Sequence, residues 1–194
     1  MPISHHLSLY SYWLAKRASR SMPARSDLDP GDIPALLPHL MIVDKVEDRF
    51  RYRLVGTAVV RDVGHDATGS LIGSYICSAA PESAASAQAI YERVFTTARP
   101  AFATGEFKTT SGAPHNMSLL VLPLSGDGAN VNMAVSTLAS RFKLGVTASD
   151  DWLQGLPVKV SGVAGVKDAA DLEKRCLEWE RNCEISNGLA DNNC

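Results

Sequence analysis

RFRYRLVGTAVVRDVGHDATGSLIG, residues 49–73, is the stretch whose reading decides the fold. Phe50, Tyr52 and Leu54 alternate with Arg49, Arg51 and Arg53, a period of two that predicts a strand with one face buried. Gly56 breaks the alternation, and Val59, Val60 and Val63 follow on a short helical run. A strand that turns into short helices makes one wall of a pocket. Arg53 runs into the apolar LVGT end of the strand, where a guanidinium needs a partner. Asp44 and Glu106 are the protein candidates, and an anionic ligand is the alternative.

Moving outward, residues 40–46 are apolar on both faces, Leu40 and Ile42 on one and Met41 and Val43 on the other. Such a strand is covered on both sides. Glu47 and Asp48 connect it tightly to the strand at 49–55, which predicts an antiparallel hairpin. Upstream, Asp29 before Pro30 is a helix start, because the carboxylate accepts from free amides and proline costs nothing at the first position. A short helix to about Leu37, ended by Pro38, is expected. From Leu7 to Arg20 the residues Leu7, Tyr10, Trp13, Leu14 and Ala18 recur at three- and four-residue spacing, an amphipathic helix fit to cover one face of the sheet. Its basic run is followed at once by the acidic SDLDPGD, which reads as a solvated face and not as a binder of anionic surfaces.

Downstream, residues 82–98 predict the one long helix of the middle region, with Pro81 near its start and Pro100 beyond its end. Three strand-like runs follow, 101–109, 115–124 and 131–141, joined by the turn signals SGAP and SGDG. The order predicts an α+β fold: a five-stranded antiparallel sheet with helices on one face, an N-terminal flanking helix and a C-terminal helical extension. The corresponding units are 1–38, 39–142 and 143–194. In the last, residues 158–161 suggest a short strand and 166–185 a helix with Ala169, Leu172, Cys176, Trp179 and Cys183 along one stripe. Packing of that stripe on the core competes with self-pairing of the helix, in which Cys176 and Cys183 would meet their counterparts and oxidation would staple a dimer.

The 194 residues, 45% hydrophobic and 21% charged with a formal net charge of -2, fit one soluble core domain and give no electrostatic reason to expect nucleic acid or a membrane as partner. No signal segment or apolar span is evident, so a cytoplasmic location is expected. Four cysteines without a C-x-x-C pair read as reduced thiols. His5 and His6 diverge on a helix and read as a solvent-exposed start, not a metal site. GSLIG at 69–73 and SGVAG at 161–165 lack the context of a nucleophile elbow or a dinucleotide loop and read as turns.

YW at 12–13, KR at 16–17, MPAR at 22–25, LDPGDIPALLPHLMIVD at 28–44, RFRYRLVGT at 49–57 and GHDATG at 64–69 together resemble the single-domain PAS family of alphaproteobacteria often called PAS_5. LLVLPLSGDG followed by NVNMAV is similar to the last hairpin of PAS domains generally. The resemblance covers residues 7 to about 141. It implies a five-stranded sheet with a ligand cavity or interaction surface and implies no catalytic activity. Cys77 in GSYICSAAPES departs from the motif of the flavin-binding light sensors, and the helix at 82–98 carries no histidine of the kind that haem sensors use there. Flavin is therefore not expected, and haem only through His65 or His115.

The candidate cavity has apolar walls of Val43, Tyr52, Leu54, Val63, Met117, Leu119 and Met133, with Arg53, His65 and His115 as polar anchors. The function expected is a sensory or interaction module, without an output domain on the chain and without enzymatic activity. It would bind a small ligand or a signalling protein and work as a homodimer or through helix packing. The alternatives are a dimerisation scaffold without ligand and a thiol switch.

Overall fold

A computed structural model describes residues 3–63, 65–74, 81–108, 114–127, 129–142 and 158–188. Six strands form one antiparallel sheet in the order β2-β1-β5-β4-β3-β6, with β1 at Leu40–Val46, β2 at Arg49–Val55, β3 at Ala101–Lys108, β4 at Pro114–Ser125, β5 at Val131–Phe142 and β6 at Val158–Gly165. Helices α1 (Ser4–Arg17), α2 (Thr57–Val63), α3 (Pro81–Thr97) and α4 (Ala169–Gly188) cover it.

Strand alternation sends neighbouring residues of β1 into two separate apolar layers. Leu40 and Ile42 join Leu9, Tyr10 and Trp13 of α1 and Leu172, Cys176, Trp179 and Cys183 of α4 in an outer layer. Met41 and Val43 join Phe50, Val59, Ile72, Ile90, Tyr91 and Val94 in an inner layer against α2 and α3. The double-sided apolar pattern of β1 therefore has a cover on each face, as expected. Helices lie on both faces, however, and α4 joins α1.

The sheet has six strands instead of five. The sixth extends the short strand expected at 158–161, and SGVAG at 161–165 is part of it, not a turn. It pairs with β3 from Ala101–Gly165 to Phe107–Val158, with a register shift between Thr104 and Gly105. Glycine and alanine at 162, 164 and 165 lack the bulk that marks a strand, and backbone pairing to β3 supplies what propensity does not. The C-terminal segment is thus built into the domain. The α4 stripe packs on this chain's own core: Leu172, Cys176, Trp179 and Cys183 are at most 5% exposed. Ala169, at its head, is exposed.

Between Asp29 and Leu40 the expected short helix is two separate 3-10 turns, Pro30–Asp32 and Leu37–His39, with Pro38 inside the second. Asp29 does cap the first, its Oδ1 accepting from the Gly31 amide at 2.8 Å. The basic end of α1 is solvated and paired with the acidic run, Lys16 to Asp32 at 2.8 Å and Arg20 to Asp27 at 2.6 Å. The outer edge of β2 is capped by the GSLIG turn: Tyr52 N donates to Ser70 O, Gly69 N to Tyr52 O and Ile72 N to Phe50 O at 2.7–3.0 Å. This covering protects an edge that would otherwise offer free amides to another chain.

Candidate functional site

Position in the two layers decides which candidate residues meet. Val43 and Leu119 are buried in the inner layer, with Tyr52 and Val63 packed against it. Met117, two residues before Leu119 on β4, shares its face and is half-buried. These five share the inner face of the sheet. Phe50 lies at its centre, 4.9 Å from Phe95 and 6.0 Å from Tyr91 between ring centroids.

Leu54 is not part of it. Val43 pairs with Tyr52 but Ile42 pairs with Leu54, so Arg53 is the extra residue of a β-bulge. The bulge shifts the alternation by one and turns Leu54 to the opposite face, where it is 41% exposed. Met133 is also on the other side: it pairs with Asp44 and Leu124 and packs against the outer layer.

Arg53 is 53% exposed and its Nε is 3.7 Å from Asp44 Oδ2. It does not reach into the inner layer. Asp44 faces Arg51 directly across the hairpin, and Arg51 donates to both its carboxylate oxygens at 3.2 and 2.8 Å. Arg51 is the main partner because the regular register sets it opposite Asp44, whereas the bulge displaces Arg53. His65 is half-buried in the bend after α2. His115 lies on β4 opposite Phe107 and Phe142, and its side chain is outside the described residues, as is Cys77.

The polar groups of the inner layer are hydroxyls. Tyr91 Oη and Ser136 Oγ are 3.2 Å apart, and Ser136 also donates to Met41 O at 3.5 Å. Burial raises both phenols, Tyr52 to about 12 and Tyr91 further, with the neighbouring Tyr52 adding to the rise. Both are neutral over the physiological range. The layer offers rings and uncharged hydrogen bonds, an environment suited to an uncharged molecule and unsuited to an anion.

The PAS_5 family model, a PAS domain, matches residues 1–138. The chain belongs to the PAS domain family. No curated protein matches it. Among solved structures, a light-oxygen-voltage domain from work titled "Flavin Analogue Sheds Light on Light-Oxygen-Voltage Domain Mechanism" aligns with 78% of this chain and 93% of its own, at 13% identity and a TM-score of 0.38.

One polar residue of this PAS domain lies where its sequence did not place it. His6, expected in solvent, is fully buried on the outer face. Its Nδ1 is 2.7 Å from Thr137 Oγ1 on β5 and its Nε2 is 3.0 Å from Ser118 Oγ on β4. Phe102 meets its ring edge-on at 5.7 Å. Burial, with a lesser push from His5, lowers its pKa to about 3, so the ring is neutral and donates through one nitrogen while accepting through the other. The signal was in the spacing: residues 6, 9, 10 and 13 form the buried stripe of α1. His5 stacks instead on His39, with centroids 3.7 Å apart.

Cys176 and Cys183 face the outer layer with their thiols pushed up by burial, Cys176 to about 12. That placement removes the geometry of a dimer staple, since neither presents its sulfur to a second copy. Among the described residues no group of three metal-ligating side chains comes together, and no helix is long and apolar enough to cross a membrane.

Proposed function

We propose that this PAS domain is a sensory module that takes a small uncharged molecule against its inner layer and reports through the packing of α1 and α4 on the outer one. A signalling protein or a second copy of the chain reads that change. It is a binding module and carries out no catalytic step. The observation that carries the reading is the division of single strands between two layers: β5 places Ala134 in the inner layer and Val135 and Ala139 in the outer one, and it lies against both α3 and α1. A displacement of β5 against α3 is therefore felt directly beneath α1, because close-packed layers transmit strain. The Tyr52 and Tyr91 hydroxyls supply the few polar anchors that a mostly apolar site uses to orient its ligand.

Native mass spectrometry with an absorption spectrum of the purified protein tests this. A stoichiometric small molecule retained by the chain supports it. A protein that carries none, and takes up none from a panel of uncharged aromatic and aliphatic compounds, contradicts it. A second reading, an interaction scaffold without ligand, is favoured by the close packing of Phe50, Phe95 and Tyr91. It predicts a stable dimer and the same mass with or without added compounds.

A further inference from the structure

The geometry points to a second binding site, for an organic di- or triphosphate, at the sheet edge where α1 and α3 end and β6 passes into α4. A cleft of about 820 Å³ opens there. Its walls carry four cations, Arg17 from α1, Arg93 from α3, Arg99 before β3 and Lys167 after β6, over a floor that includes Tyr10 and Trp13. The site is separate from the inner layer, and it exists only because β6 pairs with β3: Gly165 and Lys167 lie beyond the residues that the family model matches.

Charge balance is what singles it out. Among the described residues none of the four cationic groups has a carboxylate within 4.0 Å. The acids nearby are engaged. Asp168 Oδ1 accepts from the Asp171 amide at 2.8 Å, and Asp171 Oδ2 accepts from the Lys167 amide at 3.0 Å and from Arg175 Nε at 3.1 Å. Arg17 is held over the Trp13 ring, 5.5 Å from its centroid, and its Nε is buried without a hydrogen-bond acceptor.

Cations near helix C-termini complement the helix dipole, and that accounts for Arg17 in the last turn of α1. It does not satisfy the Arg17 Nε hydrogen, whose desolvation without a partner is unfavourable. An anion with several oxygens balances the charges that converge on the cleft. Three guanidiniums match phosphate oxygens in planar forks. The volume is that of a small-molecule site and exceeds what inorganic phosphate alone would fill, so the phosphates belong to a larger organic body.

Isothermal titration of the full chain with ADP, and with adenosine as the uncharged control, tests the assignment. ADP is expected to bind one per chain with Kd below roughly 1 mM, weakening as salt is raised, while adenosine gives no heat. Arg99→Ser combined with Lys167→Ser, both surface changes, is expected to weaken ADP about tenfold or more, and Arg49→Ser on exposed β2 to leave it unchanged. Circular dichroism confirms that each variant is folded. No binding of ADP at millimolar concentration, or equal affinity in the double variant, overturns the assignment.

Discussion

His6 and Thr137 are 131 residues apart in the chain and 2.7 Å apart in space. The contact fixes the start of α1 on β5, with Ser118 on the neighbouring strand holding the other ring nitrogen at 3.0 Å. The folded pKa of His6, about 3, lies below the ordinary value of 6.5. Between these values the unfolded chain binds more protons, so its contribution is fully present above 6.5 and is lost as the pH falls towards 3. Stability is expected to drop by up to about 1.4 kcal/mol per pH unit below 6.5, with His39, also lowered by burial, adding in the same sense. Urea unfolding at pH 7.5, 6.0 and 5.0 measures the slope. His6→Gln is expected to be less stable at pH 7.5 and to lose most of that slope.

Gly56 sits tightly against the backbone of the 3-10 turn at Leu37–His39. A Cβ there would collide with Pro38 O and sit 2.7 Å from Leu37 O, both backbone atoms. Gly56→Ala is expected to cost about 1–3 kcal/mol or more by forcing the 3-10 turn away from β2. Gly69 has φ +85° but nothing within 4 Å of its Cβ position, so Gly69→Ala is expected to cost only about 1–2 kcal/mol of left-handed strain. Urea midpoints of the two variants give the order.

The bulge at Arg53 makes unequal partners of two neighbouring arginines. In double-mutant cycles with Asp44, Arg51→Ala is expected to show a coupling of about 0.5–1 kcal/mol and Arg53→Ala one near zero. Both are partly exposed, Arg51 at 33% and Arg53 at 53%, so screening by salt should reduce what coupling there is. Equal couplings would mean that the register is regular and Leu54 faces inward.

Thiol labelling separates the two placements of α4. In a Cys77→Ser, Cys194→Ser background, Cys176 and Cys183 should react slowly in the folded protein and completely in denaturant, because both are buried with raised pKa values. Rapid labelling, or a peroxide-induced dimer on a non-reducing gel, would place the stripe outside the core.

Much of this fold is legible in the sequence because its signals are local. The two-sided run at 40–46 marks β1, Asp29 marks a cap, and the spacing of Leu172, Cys176, Trp179 and Cys183 marks the buried face of α4. The candidate site is less legible, because facing is set by events that alternation does not encode. One inserted residue, Arg53, turns Leu54 outward. Met133 looks like any apolar strand residue, and its face depends on its register with Asp44. His6 reads as solvent-exposed until Ser118 and Thr137, from distant strands, supply its hydrogen bonds. The glycines of β6 read as a turn until β3 pairs with them. The cationic cleft joins residues 17, 93, 99 and 167, which no local window contains.

The proposed coupling of the inner layer to α1 and α4 runs through the sheet. Hydrogen exchange of wild type and Tyr91→Phe, which loses only the hydroxyl contact to Ser136, tests it most directly. With β4 and β5 as the reference for global opening, faster exchange in residues 4–17 and 169–188 beyond that reference is the result predicted. Unchanged exchange in both helices, or a change equal to that of β4 and β5, would contradict it.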